Sequence, residues 1–181
     1  MALRASHNAP VSTLSISIAR LAEGEHHYTF TAGTSDIGLG AEFQGPITVD
    51  VDLSRQGRQF YLDAAFSTNA RFVCDRCLDE FSHGIDGTYS MLYVPEGTLA
   101  DGDGNEEGQE IQEIPADAQL IHLDDDVRQF VLLSVPGKLL CRDECRGLCP
   151  VCGKNRNHFD CACTETVRDT RWDALKKLNK K

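Results

Sequence analysis

The first half of the chain alternates apolar and polar residues with a period of two, which is typical of β-strands that bury one face. Gln56-Gly57-Arg58 separates two of these segments and suits a tight antiparallel turn. The alternation therefore predicts an antiparallel sheet, either open or curled into a partial barrel. The predicted strands lie near residues 12–19, 28–32, 47–53, 59–74 and 87–94.

A helical period follows the strands. Val127, Phe130 and Val131 fall on one face of the segment 124–135, which ends before Pro136. Three consecutive aspartates at the start of this segment would cap it and complement the positive end of a helix. We expect the apolar face of the helix to cover the sheet, so the predicted fold class is α+β.

Two further segments have a distinct composition. Residues 95–115 are rich in Gly, Asp and Glu and have too few apolar side chains to bury, so we expect a mobile acidic loop. A site for cations or for a basic partner is the functional alternative, although solvation alone explains this composition. Near the C-terminus, Thr170 and Asp173 resemble a capping pair. The apolar stripe of a short terminal helix would comprise Trp172, Leu175 and Leu178.

Charge divides the chain at residue 138. The 181 residues include 18 Lys and Arg against 28 Asp and Glu, a net charge of −10. Residues 138–181 hold eleven of the basic residues and six of the acidic ones, so this tail carries +5 and the rest −15. We therefore expect an acidic β body, 1–137, with the loop 95–115 and the helix 124–135, and a basic cysteine-rich tail, 138–181.

The sequence predicts neither a signal peptide nor a membrane span. Residues 1–10 lack the regions of a signal peptide, and no run of about 18 apolar residues occurs. We therefore expect a cytoplasmic protein with no membrane partner. In a reducing compartment the eight cysteines stay unpaired, so their clustering indicates metal binding or redox chemistry rather than disulfides.

Four cysteines of the tail have the spacing of a structural zinc site. Cys149-Pro150-Val151-Cys152-Gly153 places two thiolates on a tight turn, and Cys161-Ala162-Cys163 adds two more after a short loop. Bound Zn²⁺ would stabilise a segment that has few apolar residues. His158 lies in the loop and could replace one sulfur. We call this set the tail cluster: Cys149, Cys152, Cys161 and Cys163.

The other four cysteines form two chelating pairs that lie far apart in the sequence. Cys74-Asp75-Arg76-Cys77 falls between two predicted strands, and Cys141-Arg142-Asp143-Glu144-Cys145 lies near the start of the tail. If both pairs shared one ion, a second zinc site would attach the tail to the sheet. We call this set the split cluster: Cys74, Cys77, Cys141 and Cys145.

Three alternatives to these two sites remain open in the sequence. The pair at 141 and 145 could join the first pair of the tail cluster and leave the last pair unused. Cys74 and Cys77 could form a redox pair, although no helical pattern follows Cys77 as thioredoxin-type motifs require. Four thiolates could also hold an iron–sulfur cluster.

The cysteine pairs lie within longer motifs that extend across much of the chain. These are Cys74-Asp75-Arg76-Cys77-Leu78, Val135-Pro136, Cys145-Arg146-Gly147-Leu148-Cys149-Pro150-Val151-Cys152-Gly153, Asn157, Cys161-Ala162-Cys163 and Asp169-Thr170-Arg171. Together they resemble the YceD family, over a region from about Leu14 to Leu178. Arg156 and Thr170 depart from the family pattern, in which Leu and Pro are common, but neither is a proposed ligand.

The resemblance implies a role in the accumulation of large-subunit ribosomal RNA, hence in ribosome biogenesis, in bacteria and plastids. It implies no catalytic residue, and the sequence contains no nucleophile elbow, P-loop or Ser/His/Asp arrangement. With the basic tail, it predicts a non-enzymatic factor that binds ribosomal RNA or a basic large-subunit ribosomal protein, without a small-molecule substrate. The candidate contact residues are Arg142, Arg146, Lys154, Arg156, Arg168 and Arg171.

Two other functional interpretations remain. The cations of the tail could merely neutralise the acidic body, and the cysteines could belong to a thiol-based redox or metal-responsive protein. The resemblance also bears on the metal sites, because some family members keep the first cysteine pair and lack the last four cysteines. It therefore implies that the two clusters are separable.

Overall fold

Each of the two units of this protein is built from two separate stretches of the chain. The computed structural model describes residues 14–98 and 110–164. The first unit comprises Met1–Phe72 and Ser82–Gly137, and the second comprises Val73–Phe81 and Lys138–Lys181. All eight cysteines therefore belong to the second unit.

Seven strands and one helix lie within the described residues. They are β1 (Ser15–Ser17), β2 (Gly24–Gly33), β3 (Phe43–Gln56), β4 (Gln59–Val73), β5 (Glu80–Pro95), β6 (Glu110–Ile114), β7 (Leu120–His122) and α1 (Asp124–Leu133). The four long strands, β2 to β5, overlap the four segments that the alternating pattern predicts after residue 20. The α+β class follows from this content.

The main sheet is mixed and has five strands in the order β2-β3-β4-β5-β6. β3 pairs antiparallel with β2 and β4, whereas β6 pairs parallel with β5. Gly57 adopts a φ of +64° in the two-residue turn between β3 and β4, as the turn sequence predicts. The order is linear, and within the described residues β2 and β6 do not pair with each other. The sheet therefore does not close into a barrel.

One face of this sheet and one face of α1 form the core of the first unit. Every second side chain of β3 from Ile47 to Leu53 is at most 1% exposed. Val127 and Val131 of α1 are fully buried in the same cluster of apolar side chains. Each such side chain contributes about 1.5–3 kcal/mol when it is removed from water. The period of two in the strands and the helical period in α1 thus correspond to the buried faces.

Two contacts join α1 to β5. The ring of Tyr89 stacks on that of Phe130 with centroids 4.5 Å apart. The hydroxyl of Tyr93 donates a hydrogen bond of 2.7 Å to Oδ2 of Asp126. The helix therefore packs on the sheet through both apolar and polar contacts, and it ends at Leu133 rather than at residue 135.

Several elements differ from the expectations. β6 lies within the segment 95–115, where the acidic composition predicts only loop, because main-chain pairing with β5 does not require an apolar run. β1 is shorter than the predicted strand 12–19 and pairs with β7 in a separate sheet. The predicted terminal helix lies outside the described residues. No helix in the described part of the chain is long and apolar enough to span a membrane.

The aspartates at the start of α1 make tertiary contacts that the sequence did not predict. The residue at the N-cap position is Leu123, which provides no side-chain cap. Asp124 accepts a hydrogen bond of 3.1 Å from the backbone N–H of Leu14, and Asp126 accepts the bond from Tyr93. These carboxylates therefore hold distant parts of the first unit together, in addition to complementing the helix dipole.

Candidate metal centres

The split cluster begins in the loop that joins β4 to β5. The backbone N–H of Cys74 donates to the carbonyl of Asp79 at 2.9 Å, and the N–H of Leu78 donates to the carbonyl of Cys74 at 3.0 Å. Leu78 adopts a φ of +61°, a left-handed conformation that is strained for a bulky residue. The resulting tight loop buries both of its thiols, with Cys74 0% and Cys77 3% exposed.

The start of the tail packs against this loop within the same unit. The N–H of Asp75 donates to the carbonyl of Leu139 at 2.8 Å, and the N–H of Leu139 donates to Oδ2 of Asp75 at 2.7 Å. The carbonyl of Arg76 accepts from the N–H of Leu148 at 3.0 Å, and its guanidinium donates to the carbonyl of Cys145 at 3.1 Å. These bonds bring the second cysteine pair beside the first.

The four sulfurs of the split cluster all lie within 4.8 Å of one another. The sulfurs of Cys74 and Cys145 are 3.7 Å apart, and those of Cys77 and Cys141 are 3.6 Å apart. Two thiolates on one tetrahedral zinc, each with a bond of about 2.3 Å, would be about 3.8 Å apart. A disulfide would need about 2.05 Å, and an iron–sulfur cluster would bond the thiolates to separate irons and need more room. The spacing fits a single ion.

The tail cluster is built on a tight turn and the loop that follows it. The N–H of Cys149 donates to the carbonyl of Lys154 at 2.8 Å, and the N–H of Gly153 donates to the carbonyl of Cys149 at 2.8 Å. Gly153 adopts a φ of +71°, as the turn sequence predicts. Its four sulfurs also lie within 4.8 Å of one another, but only Cys149 is fully buried. This cluster is therefore nearer to the surface than the split cluster.

The structure thus brings the eight cysteines together in the two sets that pairwise chelation favours. The alternative set, which combines residues 141 and 145 with the first pair of the tail cluster, is not the one that the structure forms. His158 does not contribute to either set, since its Nε2 lies 3.0 Å from Oδ2 of Asp79. Each set offers four sulfur ligands to one ion.

Within the split cluster the thiols have opposite pKa shifts. Burial tends to raise the pKa of Cys74, but the N–H groups of three neighbouring residues outweigh it and lower this pKa to about 6. Burial raises the pKa of Cys77 to about 12 and also raises that of Cys141. Four thiolates at this spacing repel one another, so only a bound cation allows all of them to ionise.

The tail cluster shows the same contrast. The N–H groups of Cys152 and Val151 lower the pKa of Cys149 to about 6. The hydrogen bond with Cys152, together with burial, raises the pKa of Cys163 to about 12. The turn therefore prepares the thiolate of Cys149 for an ion, while Cys163 loses its proton when the ion binds.

A shell of polar side chains surrounds the split cluster, and the sequence alone did not identify it. Oδ2 of Asp79 accepts hydrogen bonds from Asn155 at 2.7 Å, from His158 at 3.0 Å and from the thiol of Cys77 at 3.4 Å. The bonds from His158 and Asn155 lower the pKa of Asp79. His158 had a signal in the sequence as a possible ligand. Asn157, whose Nδ2 lies 3.3 Å from Sγ of Cys145, had one as part of the family motif.

The candidate contact residues that the structure describes are exposed, and one of them is ion-paired. Arg142, Arg146, Lys154 and Arg156 are exposed, and Arg168 and Arg171 lie outside the described residues. Arg146 forms an exposed ion pair of 3.1 Å with Asp160, an arrangement that contributes about 0–1 kcal/mol. Arg146 and Arg156 line the same surface depression as three cysteines of the tail cluster, Cys149, Cys161 and Cys163.

A family model supports the identity that these motifs suggest. The model described as large ribosomal RNA subunit accumulation protein YceD matches residues 62–179, more than half of the chain. The chain belongs to the YceD family. The part of the chain that matches the YceD model contains both clusters and the shell around the split cluster, whereas β1, β2 and β3 precede it.

Two curated plant relatives agree with membership in the YceD family. Each is named large ribosomal RNA subunit accumulation protein YCED homolog 1, chloroplastic. The Arabidopsis thaliana protein is 25% identical over 155 residues, which cover 74% of this chain and 48% of the relative. The Zea mays protein is 26% identical over 164 residues, 73% of this chain and 56% of the relative. The chain thus spans about half the length of these relatives. No solved structure matches it.

Proposed function

We propose that this protein is a non-enzymatic ribosome-biogenesis factor that is required for the accumulation of large-subunit ribosomal RNA. The observation that carries the proposal is the YceD family match over residues 62–179, supported by the names of both plant relatives. The compartment that we propose is the cytoplasm of a bacterium, which contains ribosomes and keeps thiols reduced.

We propose further that each cluster holds one structural Zn²⁺. Within its described residues the second unit buries few apolar side chains, since its core there consists of Cys74, Cys77 and Cys145 with a few partly buried neighbours. Large apolar side chains such as Val151 and Phe159 are instead more than half exposed. Apparent binding energies on the order of 10 kcal/mol per structural zinc would replace the missing core. Zinc would here fix the fold and perform no reaction.

The burial of the thiols supports a structural role over a redox role. A reactive cysteine pair needs contact with an oxidant or with a partner thiol. Cys74 and Cys77 are 0% and 3% exposed, so neither sulfur is accessible in the folded unit. We therefore favour the interaction protein over the thiol-based redox protein.

Charge favours a basic protein as the direct partner. The first unit has six Lys and Arg against nineteen Asp and Glu, and the second has twelve against nine. Each Zn²⁺ with four thiolates carries −2, so two ions would shift the second unit from +3 to about −1. The net charge of the second unit would then no longer attract the phosphates of RNA. A basic large-subunit ribosomal protein fits the first unit, which carries −13.

The proposed binding of a basic protein can be tested on the exposed face of the main sheet. Asp50, Asp52 and Asp63 are exposed there, and Asp52 lies directly opposite Asp63 on the neighbouring strand. Asp52 lies 2.8 Å from Nδ1 of His27, and Asp63 accepts a hydrogen bond from the hydroxyl of Ser90, so each carboxylate already has a neighbour within the sheet. We expect Asp52→Asn with Asp63→Asn to weaken capture of large-subunit ribosomal proteins. Arg142→Ala with Lys154→Ala removes two of the candidate contact residues of the tail instead, and it should leave that capture unchanged if the acidic sheet is the binding surface.

Depletion of the protein tests the cellular role. We expect the ratio of large-subunit to small-subunit ribosomal RNA to fall in depleted cells, and the wild-type gene to restore it. Cys74→Ser with Cys77→Ser should fail to restore it. An unchanged ratio after depletion would refute the proposed role. Capture of ribosomal proteins that is lost on RNase treatment would instead identify RNA as the direct partner.

A further inference from the structure

We propose that the two clusters bind their metal ions cooperatively, because the loop of the tail cluster completes the hydrogen-bond shell of the split cluster. This loop, residues 153–160, connects the two cysteine pairs of the tail cluster. The inference rests on the metal sites of the proposed function and adds a dependence of each site on the other. Three residues of the loop provide the link: Asn155, Asn157 and His158.

Asn157 acts directly on a ligand of the other cluster. Its side-chain Nδ2 donates a hydrogen bond of 3.3 Å to Sγ of Cys145. Its Oδ1 accepts a bond of 2.8 Å from the backbone N–H of Arg146, which fixes the orientation of the amide. A donor that is held in this way stabilises the thiolate and aims the sulfur. Asn157 is therefore a positioning residue for an ion that it does not ligate.

Asn155 and His158 act on the same cluster through Asp79. Oδ2 of Asp79 lies 3.4 Å from Sγ of Cys77, so this carboxylate belongs to the immediate surroundings of a ligand. Asn155 donates to the same oxygen at 2.7 Å, and Nε2 of His158 lies 3.0 Å from it. These two contacts hold the carboxylate in place beside the ligand, as outer-shell partners do. Both donors come from the loop of the tail cluster.

The position of the loop in turn depends on the tail cluster. Its flanking residues, Cys152 and Cys161, are ligands of that cluster, so a bound ion closes the loop at both ends. Within the loop, the N–H of Asn157 donates to Oδ1 of Asn155 at 2.9 Å, which links two of the three donors. Binding of an ion in the tail cluster therefore already includes the loss of conformational entropy that ordering the loop requires. An ion in the split cluster gains donors that are already in place.

The size of the effect follows from the behaviour of other outer-shell hydrogen bonds. Removal of such a partner lowers metal affinity by about 10–100-fold. Linkage is reciprocal, so the tail cluster must gain the same factor from an ion in the split cluster. We therefore expect the affinity of each cluster to rise at least about tenfold when the other is loaded.

The coupling factor is measurable without resolving the two sites in the wild-type chain. Co²⁺ is titrated into reduced full-length protein against a competing chelator, and thiolate-to-cobalt absorption reports binding. The titration is repeated with two single-site variants, Cys74→Ser with Cys77→Ser and Cys161→Ser with Cys163→Ser. The overall constant for two ions in the wild type, divided by the product of the two single-site constants, is the coupling factor. We expect about 10 or more, and a factor near 1 would overturn the inference.

Asn157→Ala tests the physical link while all eight cysteines are kept. It should lower the overall association constant for two ions about tenfold or more. It should change the association constant of the single ion in the Cys161→Ser, Cys163→Ser variant much less. Lys154→Ala, an exposed change in the same loop, is the matched control and should alter neither constant. If Asn157→Ala behaves like Lys154→Ala, the proposed link is wrong.

These outcomes are separate from those of the functional proposal. Independent binding of two ions would remove the cooperativity and leave the ribosomal role intact. Absence of any bound ion from either cluster would overturn both the cooperativity and the proposed zinc sites. A normal ribosomal RNA ratio in depleted cells would remove the ribosomal role and leave a measured coupling factor unaffected.

Discussion

A Cβ atom on Gly147 would lie 3.1 Å from the carbonyl oxygen of Arg76. Gly147 adopts a φ of +68°, and the same carbonyl accepts the hydrogen bond from Leu148. The missing side chain therefore lets the tail approach the loop between β4 and β5. Cys145 lies two residues before Gly147, so this approach also helps to place a ligand of the split cluster.

We expect Gly147→Ala to destabilise the second unit by more than the strain of a side chain at positive φ would by itself. A left-handed residue with a side chain costs about 1–2 kcal/mol. Gly153→Ala is the matched control, because Gly153 has a φ of +71° and a Cβ there would meet nothing within 4 Å. The contact with Arg76 should add about 1 kcal/mol or more to Gly147→Ala. Thermal unfolding of the metal-loaded proteins measures both losses, and equal losses would show that the close approach is unimportant.

Metal removal should unfold the second unit selectively. We expect about one zinc per four thiols in protein purified without chelator. Chelation should cause rapid proteolysis after Lys138 while the sheet of the first unit stays protected. A chelated protein with unchanged cleavage would contradict the structural role of the ions.

The same ions should leave as the pH falls. Thiolates bind the metal, so the metal-free state carries more protons and low pH favours release. The pKa of both Cys74 and Cys149 is lowered to about 6 in the absence of metal, while that of Cys77 and that of Cys163 are raised to about 12, so these two thiols give up protons on binding. Affinity should therefore fall steadily between pH 8 and about pH 5, as a chelator competition at several pH values would show. A pH-independent affinity would argue against thiolate ligation.

The pair of Tyr93 and Asp126 predicts two opposite changes in stability. Tyr93→Phe removes a hydrogen bond to a carboxylate and should cost about 1.5–3 kcal/mol at neutral pH. Asp126→Asn keeps an acceptor for Tyr93 and removes a charge whose burial, with nearby Asp125 and Glu110, raises the pKa of this carboxyl. Because the folded pKa is raised, protonated Asp126 favours folding below the unfolded pKa of about 3.9, and this advantage is lost as the pH rises through the folded pKa.

Asp126→Asn should therefore stabilise the first unit at neutral pH, and the gain should vanish near pH 4. Denaturant unfolding of metal-loaded protein at neutral pH measures the gain for both variants. The acidic comparison uses metal-free protein at each pH, so that loss of zinc does not enter. An Asp126→Asn protein that is less stable than the wild type at pH 7 would contradict the effect of burial.

Gly87→Ala should disturb the contact of α1 with the sheet. A Cβ at residue 87 would lie 2.7 Å from the ring of Phe66 and 2.8 Å from Oγ of Ser134. The expected cost is about 1–3 kcal/mol, as for other overpacked core positions. Gly84→Ala on the same strand is the control, because a Cβ there would lie 3.9 Å from its nearest neighbour, Oδ1 of Asn69. Comparable losses of unfolding free energy for Gly87→Ala and Gly84→Ala would show that α1 can shift without loss of stability.

Local patterns predicted the elements that bury one regular face. The alternation from Ile47 to Leu53 and the helical spacing of Val127 and Val131 depend only on neighbouring residues, so sequence reveals both. Spacing also indicated the tail cluster, whose ligands lie within fifteen residues of one another. The split cluster needed one further argument, that the remaining cysteines form two chelating pairs.

Features that depend on distant residues were not visible in the sequence. β6 is a strand only because β5 offers it an edge, and β1 pairs with β7 across about a hundred residues of chain. Asp79 has no motif of its own, and its role comes from Asn155 and His158, whose sequence separation from it exceeds seventy residues. A hydrogen bond between such residues is a property of the fold.

The split cluster also changes what the unfolded chain can do. Its ligands Cys77 and Cys141 are 64 positions apart, and the segment between them contains β5, β6, β7 and α1. An ion that remains bound would close this segment into a ring and restrict its random conformations, as a cross-link does. For a ring of this length the entropic gain is about 4 kcal/mol. The ion would thus raise the stability of strands and a helix that it never touches.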